Sequence, residues 1–309
     1  MRRAFSDALV QIARQDDKVI FLTGDLGFGV FDQFITEFPR RYINVGVAEA
    51  QLVDCAAGLA LEGWRPIVYS IASFMTGRAY EQIRLAIGYH RLPVLVVGAG
   101  GGYTYADAGV THHAKEDLAL MALVANMTVV APGDPNEVAE LMPQLLRGDG
   151  PSYIRIGRFG EPRFESAEPI VVGRARFLSR GERIAILTTG GSVIHALRAV
   201  EQLGREGIRP TLCHFHTVRP LDQAALGQLD DAGAFVVVEE HGVQGGLAAA
   251  VAAWCLENRR APRVVRLGPG DDLVLGNPKQ QQLSREAGFD DNGIAAACRR
   301  LWSETRAAA

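Results

Sequence analysis

The sequence lacks the features that mark several classes of protein. Its four cysteines among 309 residues form no CxxC pair and no metal-like cluster, so neither a disulfide framework nor a zinc module is predicted. The net charge is −3 and no run of Lys and Arg forms a basic patch, which argues against nucleic-acid partners. No apolar run approaches the roughly 20 residues of a membrane span, and the N-terminus lacks the apolar core of a signal peptide. We therefore expect a cytoplasmic protein with reduced thiols.

Several catalytic and binding motifs are also absent. The sequence contains neither GxxxxGK[ST] nor GxSxG, which argues against a P-loop and a hydrolase elbow. The glycines of 24–29 are in the wrong order for a dinucleotide fingerprint, and those of 98–102 lead into a loop instead of a helix. His214 and His216 share one face of a predicted strand, as metal ligands do, but no third ligand is near them in the sequence. We favour structural roles for both and predict no metal site in this chain.

Apolar segments of strand and helix length alternate along the chain. Strands that are apolar almost throughout indicate a parallel sheet covered on both faces. A segment with two prolines, several charges and little periodicity interrupts the alternation. We therefore predict an α/β protein of two domains, 1–160 and 183–309, with a linker over 161–182.

Glu49 lies after a predicted strand and a glycine, in the first turn of a predicted helix. The residues 42–45 are typical of a short strand, Gly46 permits a sharp turn, and 48–61 has one apolar face. The carboxylate is thus predicted in the first turn of a nearly uncharged helix, facing the end of the sheet. One interpretation is that it complements the helix dipole, and the other is that it belongs to a site.

The segment 98–114 is a long glycine-rich loop after a buried strand. It carries Tyr103, Tyr105, Asp107, His112 and His113. Aromatic and titratable residues at the carboxyl end of a parallel strand are typical of a ligand site, although a flexible surface loop is the alternative. The helix start at 74–84 adds rings and charges from Phe74, Arg78, Tyr80 and Glu81, for which core packing is the alternative.

Six segments of the first half resemble transketolases. They are Arg41-Tyr-Ile-Asn-Val-Gly-Val-Ala-Glu49, Ala56-Ala-Gly-Leu-Ala-Leu-Glu-Gly63, Tyr69-Ser-Ile-Ala-Ser-Phe74, Arg78-Ala-Tyr-Glu-Gln-Ile-Arg84, Ala108-Gly-Val-Thr-His-His113 and Val130-Ala-Pro-Gly-Asp-Pro135. In the second half, Thr217-Val-Arg-Pro-Leu-Asp222 and Glu239-Glu-His-Gly-Val-Gln-Gly-Gly246 are similar to the transketolase C-terminal domain. Deoxyxylulose-phosphate synthase and dehydrogenase E1 β-type subunits share this pattern more loosely. The resemblance implies a pyrimidine-binding parallel-sheet domain followed by a transketolase C-terminal domain.

The family's metal-binding motif is missing from this sequence. Transketolases hold thiamine diphosphate and its metal through a preceding domain, with Gly-Asp-Gly followed by Asn about 25–30 residues later. Here Gly148-Asp-Gly150 is followed by a predicted strand, and no Asn occurs between Asn136 and Asn258. The resemblance therefore implies the C-terminal subunit of a split transketolase. A separate N-terminal subunit would bind the diphosphate and Mg²⁺ or Ca²⁺, in an α2β2 assembly that dimerises through this chain.

The resemblance also implies roles for individual residues. Glu49 would hydrogen-bond N1′ of the aminopyrimidine and promote the proton relay that activates the cofactor. The other residues of the implied cofactor site are Phe74, Tyr80 and Arg78. His112 or His113 would assist proton transfer on the substrate. The implied sugar or sugar-phosphate contacts are Asp107, His112, Arg158 and, more weakly, Arg3.

Two other functions stay open. The alternative enzyme is a carboligase of the 1-deoxyxylulose-5-phosphate synthase kind. The alternative that is not an enzyme is a non-catalytic scaffold or regulatory chain.

Two single residues also need comment. An ion pair near the linker is the alternative for Arg158. One position departs from the family, because Ala50 follows Glu49 where Gln is usual.

Overall fold

Strands and helices alternate along the chain, as the sequence pattern predicts. The structure, a computed structural model, describes residues 1–158 and 160–307. The last two residues of the predicted second domain lie outside this part. The helices of the first half are α1 (Arg2–Gln15), α2 (Asp32–Glu37), α3 (Glu49–Leu61), α4 (Ala72–Arg78), α5 (Tyr80–Gln82), α6 (Asp117–Leu123) and α7 (Pro135–Arg147). Short 3₁₀ turns occur at Pro39–Arg41, Ala106–Ala108 and Val110–His112, and Ile83–Tyr89 is a π-helical stretch.

The first half is organised around a sheet of seven strands. Six are its own: β1 (Val19–Thr23), β2 (Tyr42–Asn44), β3 (Arg65–Ile71), β4 (Leu95–Ala99), β5 (Thr128–Val130) and β6 (Ser152–Ile156). They pair in parallel in the order β5-β6-β4-β3-β1-β2. Apolar clusters cover both faces of this sheet, which explains why β1, β4 and β6 are buried on both sides.

The second half has its own sheet of five strands. The strands are β7 (Arg176–Ser179), β8 (Ile184–Thr188), β9 (Thr211–His214), β11 (Ala234–Val238) and β12 (Arg263–Leu267), in the order β12-β11-β8-β9-β7. Its helices are α8 (Ser192–Arg205), α9 (Gln223–Gly227), α10 (Gly246–Glu257), α11 (Gln280–Glu286) and α12 (Asp291–Ala307). All strand pairs of this sheet are parallel except β7–β9. The predicted two-domain α/β class is confirmed.

Two strands were not predicted, and both lie at sheet edges. β7 lies inside the segment that we predicted as a linker, 161–182, and pairs antiparallel with β9. β10 (Thr217–Arg219) belongs to the second half of the chain but pairs antiparallel with β5, and so becomes the seventh strand of the first sheet. The linker thus contains regular structure, because edge pairing orders a short segment whose sequence shows no periodicity. The domain boundaries themselves stay a prediction.

The turn before α3 has the predicted form. β2 ends at Asn44, Gly46 adopts a φ of +77°, and α3 begins at Glu49. A Cβ at Gly46 would meet nothing within 4 Å, so the backbone conformation, not lack of space, accounts for the glycine. The turn places the first residue of α3 at the carboxyl edge of the sheet.

Candidate functional site

Glu49 is a buried carboxylate with few bonds. Its exposed fraction is 3%, and it occupies the first turn of α3. Ser70, near the end of β3, donates its hydroxyl to Oε1 at 3.3 Å, and Arg78 Nη1 lies 3.3 Å from Oε2. A carboxylate has about four acceptor positions, so these two bonds from the described residues leave part of its capacity unused.

Arg78 connects this carboxylate to two neighbouring rings. The Arg78 guanidinium lies over the Phe74 ring, 4.3 Å from its centroid, and the His112 ring meets Phe74 edge-on at 5.0 Å. Ser73 fixes this arrangement by donating to the Thr111 carbonyl at 3.0 Å. Helix α4 and the 98–114 loop therefore join the Glu49 turn, and four predicted site residues, Glu49, Phe74, Arg78 and His112, lie together.

The cluster continues into residues predicted to contact substrate. Tyr105 lies 6.1 Å from His112 between ring centroids, and the Arg158 guanidinium lies 5.2 Å from the Tyr105 ring. Arg158 Nη1 is also 3.6 Å from the Asp107 carboxylate. The ion pair near the linker that we considered for Arg158 thus exists, and its partner is itself a predicted substrate contact.

The adjacent histidines have different environments. His112 is half-buried and its Nδ1 lies 3.0 Å from the Thr111 hydroxyl. His113 is buried, packs edge-on against Tyr103 at 5.2 Å, and places Nε2 3.3 Å from the Ala106 carbonyl. Sequence reasoning could not rank the two, and the structure brings only His112 to the Phe74 ring.

The charge state of His112 follows from its surroundings. Burial lowers the pKa of His112, and the neighbouring His113 and Arg78 lower it further, while Asp107 acts in the opposite direction. The ring is therefore neutral at pH 7, and one nitrogen accepts a hydrogen bond while the other donates one.

Neither Arg3 nor Tyr80 supplies a contact between Glu49, Phe74 and His112 among the described residues. Arg3 is an exposed residue of α1, and its ion-pair partner at 4.0 Å is Asp7 of the same helix. Tyr80 is half-buried and packs against the apolar cluster on one face of the first sheet. The contacts that join Glu49, Phe74 and His112 among the described residues therefore run through Arg78 and not through these two side chains.

The histidines and the Gly-Asp-Gly motif for which we predicted no metal-binding role lie away from the Glu49 site. His214 is buried between Thr188 at 2.9 Å and Glu137 at 3.1 Å, and His216 Nδ1 lies 3.0 Å from the Thr217 hydroxyl. Gly148-Asp-Gly150 connects α7 to β6 at the amino end of that strand, the edge of the sheet opposite Glu49. In the described ranges, no three His, Cys, Asp or Glu side chains form a potential metal site.

Sequence reasoning missed Ser70 as a partner of Glu49. It also missed a buried group beneath the 98–114 loop, in which Arg155 Nε donates to Asp117 at 2.8 Å and Tyr153 donates to Asp117 at 2.6 Å. The only signal was an arginine and a tyrosine inside the apolar strand β6, two positions apart and hence on one face.

Family models match both halves of the chain. "Transketolase, pyrimidine binding domain" matches residues 1–159, and "Transketolase, C-terminal domain" matches 173–294. An apulose-4-phosphate transketolase subunit of Phocaeicola vulgatus is 31% identical over 297 residues, which cover 95% of this chain and 94% of the relative. The chain therefore belongs to the transketolase family.

Two other similar proteins show which part of a transketolase-type enzyme this chain corresponds to. A 1-deoxy-D-xylulose-5-phosphate synthase of Geobacter sulfurreducens is 36% identical over 299 residues, and the chain spans 46% of its length. A solved structure described as a split-gene transketolase, an inactive β4 tetramer, matches with a TM-score of 0.89 and 33% identity over 98% of each chain. This chain thus corresponds to the C-terminal subunit of split transketolases and to about half of the synthase.

The local geometry fits the cofactor of this family. The aminopyrimidine of thiamine diphosphate requires a buried hydrogen-bond acceptor and an aromatic wall. Glu49 has unused acceptor capacity and a low exposure, and Arg78, which pairs with it, lies over the Phe74 ring. Glu49, Phe74 and Arg78 are the residues that would hold the pyrimidine end.

Proposed function

We propose that this chain is the C-terminal subunit of a thiamine-diphosphate-dependent transketolase. The enzyme would transfer a two-carbon ketol unit from a ketose, or ketose phosphate, to an aldose or its phosphate. The observation that carries the proposal is the environment of Glu49, a buried carboxylate with unused bonding capacity that Arg78 connects to the Phe74 ring, which His112 contacts in turn. The bound cofactor supplies the nucleophilic carbon that accepts the ketol unit.

Glu49 would hold and share a proton at the pyrimidine nitrogen N1′. Its burial keeps water away, so the carboxylate makes a stronger hydrogen bond than an exposed one would. Arg78 neutralises part of its charge from 3.3 Å, and Phe74, which lies under Arg78, would wall the pyrimidine. The catalytic role of Glu49 and the cofactor contacts of Phe74, Arg78 and Tyr80 are part of the proposal.

The loop residues would act on the sugar. His112 is neutral at pH 7 because burial and nearby positive charge lower its pKa, so it can accept a hydroxyl proton. Asp107 would bind sugar hydroxyls, and Arg158 would hold a phosphate or a hydroxyl at the far end. Arg3, exposed on α1, is the weakest of the predicted contacts, and His113 acts through the loop and not on the substrate.

A partner subunit completes the enzyme in this proposal. An N-terminal transketolase subunit would bind the diphosphate together with Mg²⁺ or Ca²⁺, and two copies of each chain would form an α2β2 assembly. A cytoplasmic location is consistent with four unpaired cysteines, of which Cys213 and Cys298 are fully buried. Separately, no helix in the described ranges is long and apolar enough to cross a bilayer.

The experiment compares this chain alone with the chain mixed with an N-terminal transketolase subunit. Both are given thiamine diphosphate and Mg²⁺, and ketol transfer from ketose donors to aldose acceptors is measured. We expect transfer by the mixture and negligible transfer by the single chain. Full activity of the single chain would contradict the split-subunit proposal.

A synthase-type reaction is the second candidate, since a deoxyxylulose-phosphate synthase shares 36% identity with this chain. The same mixture is therefore offered pyruvate with an aldose phosphate, and the products are separated. Product from pyruvate but none from ketoses would favour the synthase. A mixture that binds the cofactor yet yields neither product would favour the regulatory alternative.

A further inference from the structure

The loop that carries Asp107 and His112 is closed at its base by the backbone. The Gly102 N–H donates to the Ala114 carbonyl at 2.8 Å, and the Ala114 N–H donates back to Gly102 at 2.9 Å. This pair fixes the two ends of the loop, while Ser73 holds the part near His112 through the Thr111 carbonyl. The geometry of the base therefore contributes to where Asp107 and His112 lie.

A side chain from the second half of the molecule reaches this base. Glu240 Oε1 accepts the Tyr103 N–H at 3.0 Å and a hydrogen bond from Gln280 Nε2 at 3.0 Å. Gly102 has a φ of +60°, and a Cβ there would lie 2.3 Å from Glu240 Cγ. The carboxylate therefore lies directly against the loop, in a space that only a glycine leaves open.

A buried arginine joins Glu240 to the first sheet. Arg155 Nη1 donates to the Glu240 backbone carbonyl at 3.0 Å, while its Nε donates to Asp117 at 2.8 Å. The same guanidinium donates to the Ala114 carbonyl at 3.4 Å, at the loop's other end. One connected group thus ties β6, the loop base and the segment after β11 together.

The contact continues through neighbouring side chains to the residues proposed to bind the sugar. Tyr103 follows Gly102 and packs against His113 at 5.2 Å, and His113 in turn lies 3.3 Å from the Ala106 carbonyl. Asp107 is the next residue, and His112 precedes His113. A cavity of about 550 Å³ between the two halves is lined by Glu240 together with Asp107 and Arg158.

We propose that Glu240 is a positioning residue for the sugar-binding loop: by holding the Tyr103 amide from the second domain, it sets the positions of Asp107 and His112. The expected effect on KM rests on the proposed function. The hydrogen bond from the Tyr103 amide to Glu240 is a property of this chain alone. The second domain then contributes to substrate binding without touching the sugar. Burial raises the pKa of Glu240, and its two donors compensate part of the cost of an ionised carboxylate there.

The test compares Glu240→Ala with Glu240→Gln in the assembled enzyme. Glutamine keeps a side-chain oxygen that can accept the Tyr103 N–H, whereas alanine removes it. We expect Glu240→Ala to raise KM for the ketose about tenfold with kcat within about twofold. Glu240→Gln should restore KM to within about threefold of the unmodified enzyme, and the affinity for thiamine diphosphate should not change in either variant. Glu257→Ala, an exposed position in α10, is the matched control and should leave all three unchanged.

Hydrogen exchange tests the anchor without any activity. In the isolated chain, amides of a peptide spanning 101–106 should exchange at least about tenfold faster in Glu240→Ala than in Glu240→Gln. Unchanged exchange, or a KM that does not move, would overturn the proposal. A uniform loss of kcat, cofactor affinity and thermal stability, without rescue by Gln, would also overturn it and assign Glu240 a general structural role. Absence of ketol transfer by the unmodified assembly would contradict the proposed function and leave the exchange result to decide the anchoring.

Discussion

Two buried glutamates of the first half each face an arginine, yet their surroundings differ. Glu137 on α7 accepts from Arg176 Nη1 at 2.5 Å, and only 3% of the Arg176 side chain is exposed. Glu49 lies 3.3 Å from Arg78 Nη1, and 55% of the Arg78 side chain is exposed. One pair is sealed between the two halves of the molecule, and the other lies at an open edge of the sheet.

The other hydrogen-bond partners of Glu137 and Glu49 also differ. Glu137 also accepts the Gly133 N–H at 2.6 Å, and His214 Nε2 lies 3.1 Å from it. Burial alone would raise the pKa of Glu137, but His214 and its other partners lower it to about 2. Glu49 has, from the described residues, only the Ser70 hydroxyl besides Arg78. A carboxylate with most of its acceptor positions filled stabilises the fold, whereas one with more positions left at a carboxyl edge can still bind a ligand.

The largest effect is expected when Glu49 loses its carboxylate. We expect Glu49→Gln to lower turnover of the assembled enzyme by about 10²–10⁴-fold, because the amide cannot share a proton at N1′. Urea unfolding should change little, since Glu49 has few bonds to lose. Glu62→Gln, just beyond the other end of α3, is the control. Near-normal turnover by Glu49→Gln would refute its assigned role.

The converse experiment is made on Glu137. Glu137→Ala leaves Arg176 and His214 buried without their carboxylate, and we expect a loss of about 3–5 kcal/mol in the free energy of unfolding. Urea denaturation of this chain measures it. Glu140→Ala, exposed on the same helix, should change the free energy by less than about 0.5 kcal/mol. Equal stabilities for the two variants would remove the distinction drawn between Glu137 and Glu49.

Acid should destabilise the fold through its buried histidines. Burial lowers the pKa of His216 and of His241 to about 4, below the value near 6.5 of an unfolded chain. The unfolded state therefore binds more protons between these values, so the free energy of unfolding falls as pH falls from about 6.5 to about 4, by up to about 3 kcal/mol per histidine.

Replacing one histidine should reduce this slope. In His241→Gln, we expect a shallower dependence of urea midpoints on pH over that range, because the group that takes up the proton on unfolding is gone. His90→Gln, an exposed position, should keep the original slope. An unchanged slope in His241→Gln would show that His241 does not titrate on unfolding.

The smallest effects are expected at the two arginines predicted to bind sugar. Arg158 lies beside Asp107 and Tyr105, so Arg158→Ala should raise KM for a phosphorylated ketose about tenfold. Arg3→Ala should change KM by less than about twofold, because Arg3 is exposed and pairs with Asp7 of its own helix. A larger effect at Arg3 than at Arg158 would reverse the ranking given by the structure.

Local sequence determined the elements of the fold. The strand β8 and the helices α8 and α10 occupy the residues that periodicity indicates, because burial on two faces or one face leaves a direct pattern in the sequence. The strand–Gly46–helix turn that presents Glu49 was equally readable, since a positive φ calls for glycine. The family resemblance added the expected cofactor and the candidate residues.

Long-range strand pairing leaves no local pattern in the sequence and is seen only in the folded chain. β10 joins a sheet formed far earlier in the chain, and β7 orders part of the expected linker, because edge strands obtain their bonds from partners that no local pattern specifies. The same holds within the site, where adjacent His112 and His113 face different surroundings and Glu240 reaches a loop more than a hundred residues away. The sequence determined which groups are present, and folding decided which of their bonds are already satisfied.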